Sequence, residues 1–171
     1  MPGASRRDDA YPVMLNDGTA TRTRKAAPVD LGPVQELHRR CSLGSRALRY
    51  HAGQSGLSPA EWRQLSSPER GTTLVTVPAE RTDHIIAMTN VMRTEQQGVG
   101  ELAILVEDAW QARGLGTALA EHAATVARRE GHHALAAVVA ASNKPMLHVL
   151  EKLDARPVAA TGSLLDLRIL L

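Results

Sequence analysis

The chain predicts an α+β fold: a mixed, mostly antiparallel central sheet flanked by helices, with one parallel strand pair. Three observations carry this expectation. Helix-period segments occupy the chain before residue 66, short β-branched and apolar runs follow from Thr72 to Val106, and the order then becomes helix, strand, helix, strand. A helix between two strands of one sheet demands a parallel crossover, whereas the tight turns between the earlier strands favour antiparallel neighbours.

Residues 1 to 10 are polar and are expected as a flexible tail, and residues 11–171 as one domain. Val13-Met14-Leu15, the turn Asn16-Asp17-Gly18, and Thr19 to Lys25 read as a hairpin. After Pro28 and Asp30, the residues Leu31, Val34, Leu37, His38 and Cys41 recur at helical spacing. Ser42 to His51 and Pro59 to Leu65 form two further short helices, the second with Ser58 as its N-cap. Thr72 to Val77, Ile85 to Met92 and Val99 to Val106 are strands, the last two joined through Gln96-Gln97-Gly98.

Beyond them, Leu115, Ala118, Leu119, His122, Ala123 and Val126 mark one face of a helix that Gly131 ends. Leu135 to Ala140 is a buried strand. Asn143 to Leu153 is a helix with Pro145 in its first turn, and Leu164 to Leu171 closes the chain as a strand.

Composition narrows the function classes. A chain of 171 residues that is 43% hydrophobic can bury one sizeable core, and no apolar run is long enough for a membrane span. The net charge is +2, with 18 acidic residues interleaved among the basic ones, and phenylalanine is absent. That surface lacks both the basic stripe and the stacking aromatics of a nucleic-acid binder, so neither nucleic acid nor membrane is an expected partner. A lone cysteine, Cys41, and the absence of a signal-like N-terminus fit a cytoplasmic location. Seven histidines show no metal-ligand spacing, and no metal is expected.

The informative segment is Gln111-Ala112-Arg113-Gly114-Leu115-Gly116-Thr117, which stands between a strand and a helix. Glycines there allow close backbone approach, and the unpaired amides of a helix start face an anion with the dipole behind them. The segment therefore reads as a site for a pyrophosphate-containing cofactor, against the alternative of a strand-to-helix turn that holds no ligand. The dinucleotide fingerprint fails because Leu119 occupies its third small position, and no Walker-type loop occurs anywhere. Gly98-Val99-Gly100 precedes its strand rather than following it, and is set aside.

The remaining pattern, Q-x-x-G-x-G after a strand ending in Val106, resembles motif A of the GNAT superfamily of acyl-CoA-dependent N-acetyltransferases. The resemblance extends from about Tyr11 onward. It implies a GNAT fold whose parallel strands splay around the coenzyme, acetyl-CoA as co-substrate, and loop amides from Gln111 to Thr117 on its pyrophosphate. It also implies pantetheine contacts from the backbone of Ile104, Leu105 and Val106, and phosphate contacts from Arg113 and Thr117.

Asn143 with Met146 resembles motif B, where an asparagine contacts the coenzyme. Leu15-x-Asp17-Gly18 and Ser42-x-x-Ser45-x-x-x-Arg49-Tyr50 resemble the branch of protein-lysine acetyltransferases that modify acyl-CoA synthetases. That branch places its catalytic glutamate in a Glu-x-Ala phrase, which here is Glu101-Leu102-Ala103.

The chemistry suits Glu101. An amine of pKa ~10.4 is protonated at neutral pH and needs a base before it can attack a thioester. A carboxylate on a strand between apolar residues is expected to have a raised pKa matched to that task. Two departures from the family stand out. Leu150 occupies the position where many members carry a thiolate-protonating tyrosine, and Asp154-Ala155 replaces the usual Gly-Phe. His148 is expected to face away from the sulfur.

The expectation is direct acetyl transfer to an amine, most often a protein lysine, with an acyl-CoA synthetase as a candidate acceptor. Two alternatives stay open: acetylation of a small-molecule amine, and a non-catalytic acyl-CoA-binding regulator.

Overall fold

The computed structural model describes residues 10–51 and 56–171; the expected tail therefore lies, except for Ala10, outside the described residues. The described residues form eight strands, five α-helices and two 3₁₀ turns. Strands β1 (Tyr11–Met14) and β2 (Ala20–Lys25) form the N-terminal hairpin. Its turn is closed by Gly18 at φ 85° and by the Asp17 carboxylate, which accepts from the Thr19 amide at 2.9 Å.

A single 3₁₀ turn, Pro28–Asp30, leads into helix α1 (Leu31–Arg40), followed by α2 (Leu43–Tyr50) and α3 (Pro59–Leu65). The expected cap holds. Ser58 Oγ accepts from the Glu61 amide at 3.2 Å while Glu61 Oε2 accepts from the Ser58 amide at 2.7 Å, a reciprocal capping box.

Strands β3 (Gly71–Pro78), β4 (Ala87–Arg93) and β5 (Val99–Val106) continue the sheet by antiparallel pairing. Helix α4 (Leu115–Arg129) crosses over to β6 (Ala134–Ala140), and α5 (Lys144–Glu151) leads to the final hairpin, β7 (Arg156–Thr161) and β8 (Leu164–Leu170). The eight strands lie in the order β1-β2-β3-β4-β5-β6-β8-β7, with β5–β6 the parallel pair.

Strand β7 is the element that the sequence did not announce. All six of its residues are exposed, and Pro157 stands within it. An edge strand with no buried face carries no alternation to detect, and proline is tolerated there because no neighbour needs its missing amide.

Three apolar clusters hold the layers together. One joins Val91, Leu102, Leu135 and Ile169 to Ala120, Ala123, Ala127 and Leu150, beneath α4 and α5. The second packs Val34, Leu37 and Trp62 of the early helices against Val75, Met88 and Leu105, on the opposite face of the sheet. A third, Val13, Leu15, Ile86, Leu115 and Leu119, ties the hairpin to the start of α4. Among the described residues no helix is long and apolar enough to cross a membrane.

Candidate active site

The site begins where the sheet comes apart. Strands β5 and β6 pair only through Val99, Gly100 and Glu101, opposite Ala134, Leu135 and Ala136. Beyond Glu101, β5 stays paired to β4 as far as Val106, and β6 stays paired to β8 as far as Ala140. The two strands diverge, and the backbone groups of residues 102–106 on that side lose their sheet partner. Unpaired strand backbone along a cleft is what an extended, amide-bearing ligand can satisfy by strand addition.

The opening is a cleft of about 310 Å³. Its β5 wall is Leu102 to Val106, its far wall is Val138 and Val139 of β6, and its mouth is Gln111, Ala112, Gly114, Gly116 and Thr117. Asn143, Pro145, Met146, His148 and Val149 of α5 line a third side, and Ser45, Leu48 and Arg49 of α2 the fourth. Helical spacing explains the last set: residues 45, 48 and 49 share one face of α2.

The glycine turn has the conformation its chemistry requires. Gly114, the N-cap of α4, has φ +84°, and a Cβ there would lie 2.8 Å from Asn16 Oδ1. Both the left-handed backbone and the close approach of the hairpin call for glycine. Ala112 also adopts a positive φ, 57°. The first helical bond of α4 runs from the Ala118 amide to the Gly114 carbonyl at 3.2 Å, so the amides of Leu115, Gly116 and Thr117 have no intrahelical acceptor. They stand at the positive end of a fifteen-residue helix. The hairpin braces this loop, since the Asn16 amide donates to the Arg113 carbonyl at 2.9 Å.

Of the residues proposed for the coenzyme, Ile104, Leu105, Val106, Gln111, Ala112, Gly114, Gly116 and Thr117 line the cleft together with Asn143. Arg113 and Leu115 do not. The Leu115 side chain is buried in the core and can offer only its backbone. The Arg113 guanidinium lies 3.3 Å from the Asp17 carboxylate and over the Trp110 ring, 5.0 Å from its centroid. The Gln111 amide donates to the Val106 carbonyl at 2.9 Å and to Ser45 Oγ at 3.1 Å, tying the end of β5 to α2. Asn143 caps α5, its Oδ1 accepting from the Met146 amide at 3.2 Å.

Glu101 is the last β5 residue paired to β6, at the apex of the splay. The sequence led us to expect apolar enclosure of its carboxylate; in the free protein the residue is instead exposed and is not among those lining the cleft. The alternation of the strand turns Leu102 into the core and Glu101 out of it.

Above it, on the face of the sheet covered by α1 to α3, Arg49 donates to Asn90 Oδ1 at 2.6 Å and lies 4.6 Å from the centroid of the Tyr50 ring. Burial pulls the Arg49 pKa down, while the fields of Tyr50 and Glu101 favour its charged form. Behind Arg49, burial pushes the Tyr50 phenol up to about 12. Its hydroxyl is 2.6 Å from His38 Nε2, while His38 Nδ1 donates to the Val34 carbonyl at 2.7 Å.

One expectation about α5 changes. His148, expected to face elsewhere, is exposed and lines the cleft, whereas Leu150 is fully buried in the core beneath it. Of the two short helices that follow α1, α2 reaches the cleft and α3 does not; Trp62 anchors α3 in the core. The sequence also missed Leu48, Val138, Val139 and Val149, which look like ordinary core residues until the strands part. No group of three or more potential metal ligands occurs among the described residues.

Comparison with known proteins agrees with this geometry. Residues 45–155 match the model of the acetyltransferase (GNAT) family. The structure is similar to the GNAT domain of S. lividans PAT, with a TM-score of 0.86 and 25% identity over 95% of this chain and 97% of that one. It shares its fold with yncA from Salmonella typhimurium, solved with its cofactor acetyl-CoA (TM-score 0.70, 16% identity, 88% of this chain and 94% of that one). It also shares its fold with a cAMP-binding acyltransferase from Mycobacterium smegmatis (TM-score 0.65, 19% identity), covering 94% of this chain but 46% of that one.

Proposed function

Because the chain belongs to the GNAT family and is an acetyl-CoA-dependent N-acetyltransferase, we propose that its acceptor is a protein lysine and that Glu101 is the general base. The observation that carries this reading is the place of Glu101 at the apex of the splay. From there to Val106 the strand spans about 17 Å at ~3.3 Å per residue, the reach of an extended pantetheine arm.

With the pyrophosphate on the amides of residues 111–117, the arm would run along Ile104, Leu105 and Val106 and bring the thioester toward Glu101. Arg113 would swing from Asp17 to a phosphate, Thr117 would add its hydroxyl, and Asn143 would offer its amide group while its oxygen caps α5.

Transfer is direct. Glu101 takes a proton from the lysine ammonium, itself or through water, and the freed amine attacks the thioester carbonyl. A backbone amide of β5 facing the cleft stabilises the oxyanion. The attacking nitrogen gives up its extra proton to water, the C–S bond breaks as the carbonyl re-forms, and the coenzyme thiolate departs. With leucine at position 150 and buried, no tyrosine protonates it there. A thiol of pKa ~8.5 can leave as the anion and collect its proton from water.

The lysine assignment draws on the likeness to S. lividans PAT, a protein acetyltransferase, and on the Ser42-x-x-Ser45-x-x-x-Arg49-Tyr50 phrase on α2, whose Ser45 and Arg49 line the cleft. An acyl-CoA synthetase is the acceptor class to try first. We take residues 11–171 as the domain that does this, in the reducing cytoplasm, where the buried Cys41 thiol, pushed up to about 11 mainly by burial, stays unreactive.

Thiol release from acetyl-CoA, measured with a panel of acyl-CoA synthetases and of small amines, tests the acceptor. Release with a synthetase and its loss in Glu101→Gln are expected. Release with small amines alone would move the enzyme to a small-molecule acceptor, and binding without release from any acceptor would contradict both.

A further inference from the structure

Arg49 is charged, half-buried and poorly partnered. Its Nη2 has Asn90, but its Nε is buried without a hydrogen-bond acceptor. Among the described residues no carboxylate forms an ion pair with it. An enclosed guanidinium with an idle donor costs stability that a neutral side chain of the same size would not. Such a cost at the wall of a cleft points to use.

The register shows where that charge is held. Ala103 pairs with Asn90 and Glu101 with Met92, so the side chains of Glu101, Ala103 and Asn90 share the face of the sheet under α2. Asn90 is itself fixed, its Nδ2 donating to Thr73 Oγ1 at 2.9 Å, and the Thr73 hydroxyl donates onward to the Leu65 carbonyl. The hydrogen bond to Asn90 therefore anchors the guanidinium over Ala103, two residues and about 7 Å along β5 from Glu101.

We propose that Arg49, held by the Asn90–Thr73 chain, is a positioning residue that turns the Glu101 carboxylate toward the cleft. This rests on Glu101 being the base. A fixed cation on the same sheet face gives an exposed, otherwise unrestrained carboxylate side chain a preferred direction. It also explains why the site uses arginine: the planar fork can bind Asn90 and still present donors toward a carboxylate, whereas lysine would offer one mobile point charge.

A double-mutant cycle in kcat separates this role from a structural one. Arg49→Met in the otherwise native enzyme should lower kcat about tenfold or more while leaving KM for acetyl-CoA within about twofold. In the Glu101→Gln background the same substitution should cost less than about twofold, because the group it acts through is gone. Arg49→Lys should recover part of the loss. Should Arg49→Met fail to fold, Arg49→Lys alone, compared in the two backgrounds, carries the same cycle.

An equal loss in both backgrounds would overturn the proposal, since it would mean that Arg49 merely shapes the cleft. A full kcat in Arg49→Met would overturn it as well. If instead Glu101→Gln alone left kcat unchanged, the base assignment itself would fail, an outcome distinct from either.

Discussion

The coenzyme wall and the acceptor wall of the cleft are built in opposite ways. The coenzyme wall is almost all backbone: amides at the head of α4, a glycine at φ +84°, and the free edge of β5 past Glu101. The acceptor wall is almost all side chain: Arg49 on α2 lines the cleft, Asn90 on β4 holds it from beneath, and Glu101 on β5 stands beside them, outside the lining. A ligand shared across a family can be held by groups that every residue possesses. An acceptor that differs between members has to be held by groups that can be exchanged. The difference suggests which substitutions should disturb which half of the reaction.

The largest stability effect should come from beneath the acceptor wall. Trp62 is 2% exposed and fixes α3 in the cluster on which α1 and α2 rest. Trp62→Ala should destabilise the fold by about 3–5 kcal/mol, read by denaturant unfolding. Where the fold survives, the comparison requires KM for the acceptor to rise more than affinity for acetyl-CoA falls. The reverse pattern would show that the walls are not independent.

Gly114→Ala tests the other wall. Left-handed backbone at a non-glycine residue costs about 1–2 kcal/mol, and its Cβ would press on Asn16 Oδ1. Acetyl-CoA affinity should fall by about tenfold, with the acceptor KM little changed, as titration calorimetry and initial rates would report. An unaltered coenzyme affinity would remove the glycine turn from the binding site.

A smaller effect is expected at Asn143, where capping of α5 and lining of the cleft fall on one side chain. Asn143→Ala should cost about 1 kcal/mol of stability. Asn143→Asp keeps the capping oxygen and should restore the melting temperature. It should not restore coenzyme affinity if the amide group contacts the ligand.

The smallest effect is on pH dependence. Burial depresses the His38 pKa, with the Val34 hydrogen bond acting in the opposite direction. The unfolded chain therefore takes up a proton at a pH where the folded one does not. Stability supplied by neutral His38 is complete above about pH 6.5 and is lost as pH falls from there through the depressed folded value. Melting temperatures between pH 7.5 and 5 should show a decline that His38→Gln flattens; parallel curves would contradict the sign.

What could be read from the sequence follows the same division. The Gln111–Thr117 turn was legible because a backbone site needs its glycines close together in the chain, and helix α4 was legible over its whole length because one face is buried. The acceptor wall was not. Nothing local links residues 49, 90 and 101; strand register and the C-terminal half of α2 bring them together. The phrase around Arg49 could be matched to a family without revealing its partner. The outward turn of His148 and the burial of Leu150 escaped the sequence for a related reason: helical spacing says which residues share a face, but not which face meets the cleft. Strand β7, exposed along its whole length, offered no pattern at all.

Glu101 is where the two walls meet, and one paired measurement on Glu101→Gln tests the mechanism most directly: acetyl-CoA affinity and steady-state turnover on the same preparation. The account predicts turnover reduced by about 10²–10⁴-fold with the coenzyme dissociation constant within about twofold of native. Turnover that survives the substitution would contradict it, because the amine would then be losing its proton to some other group.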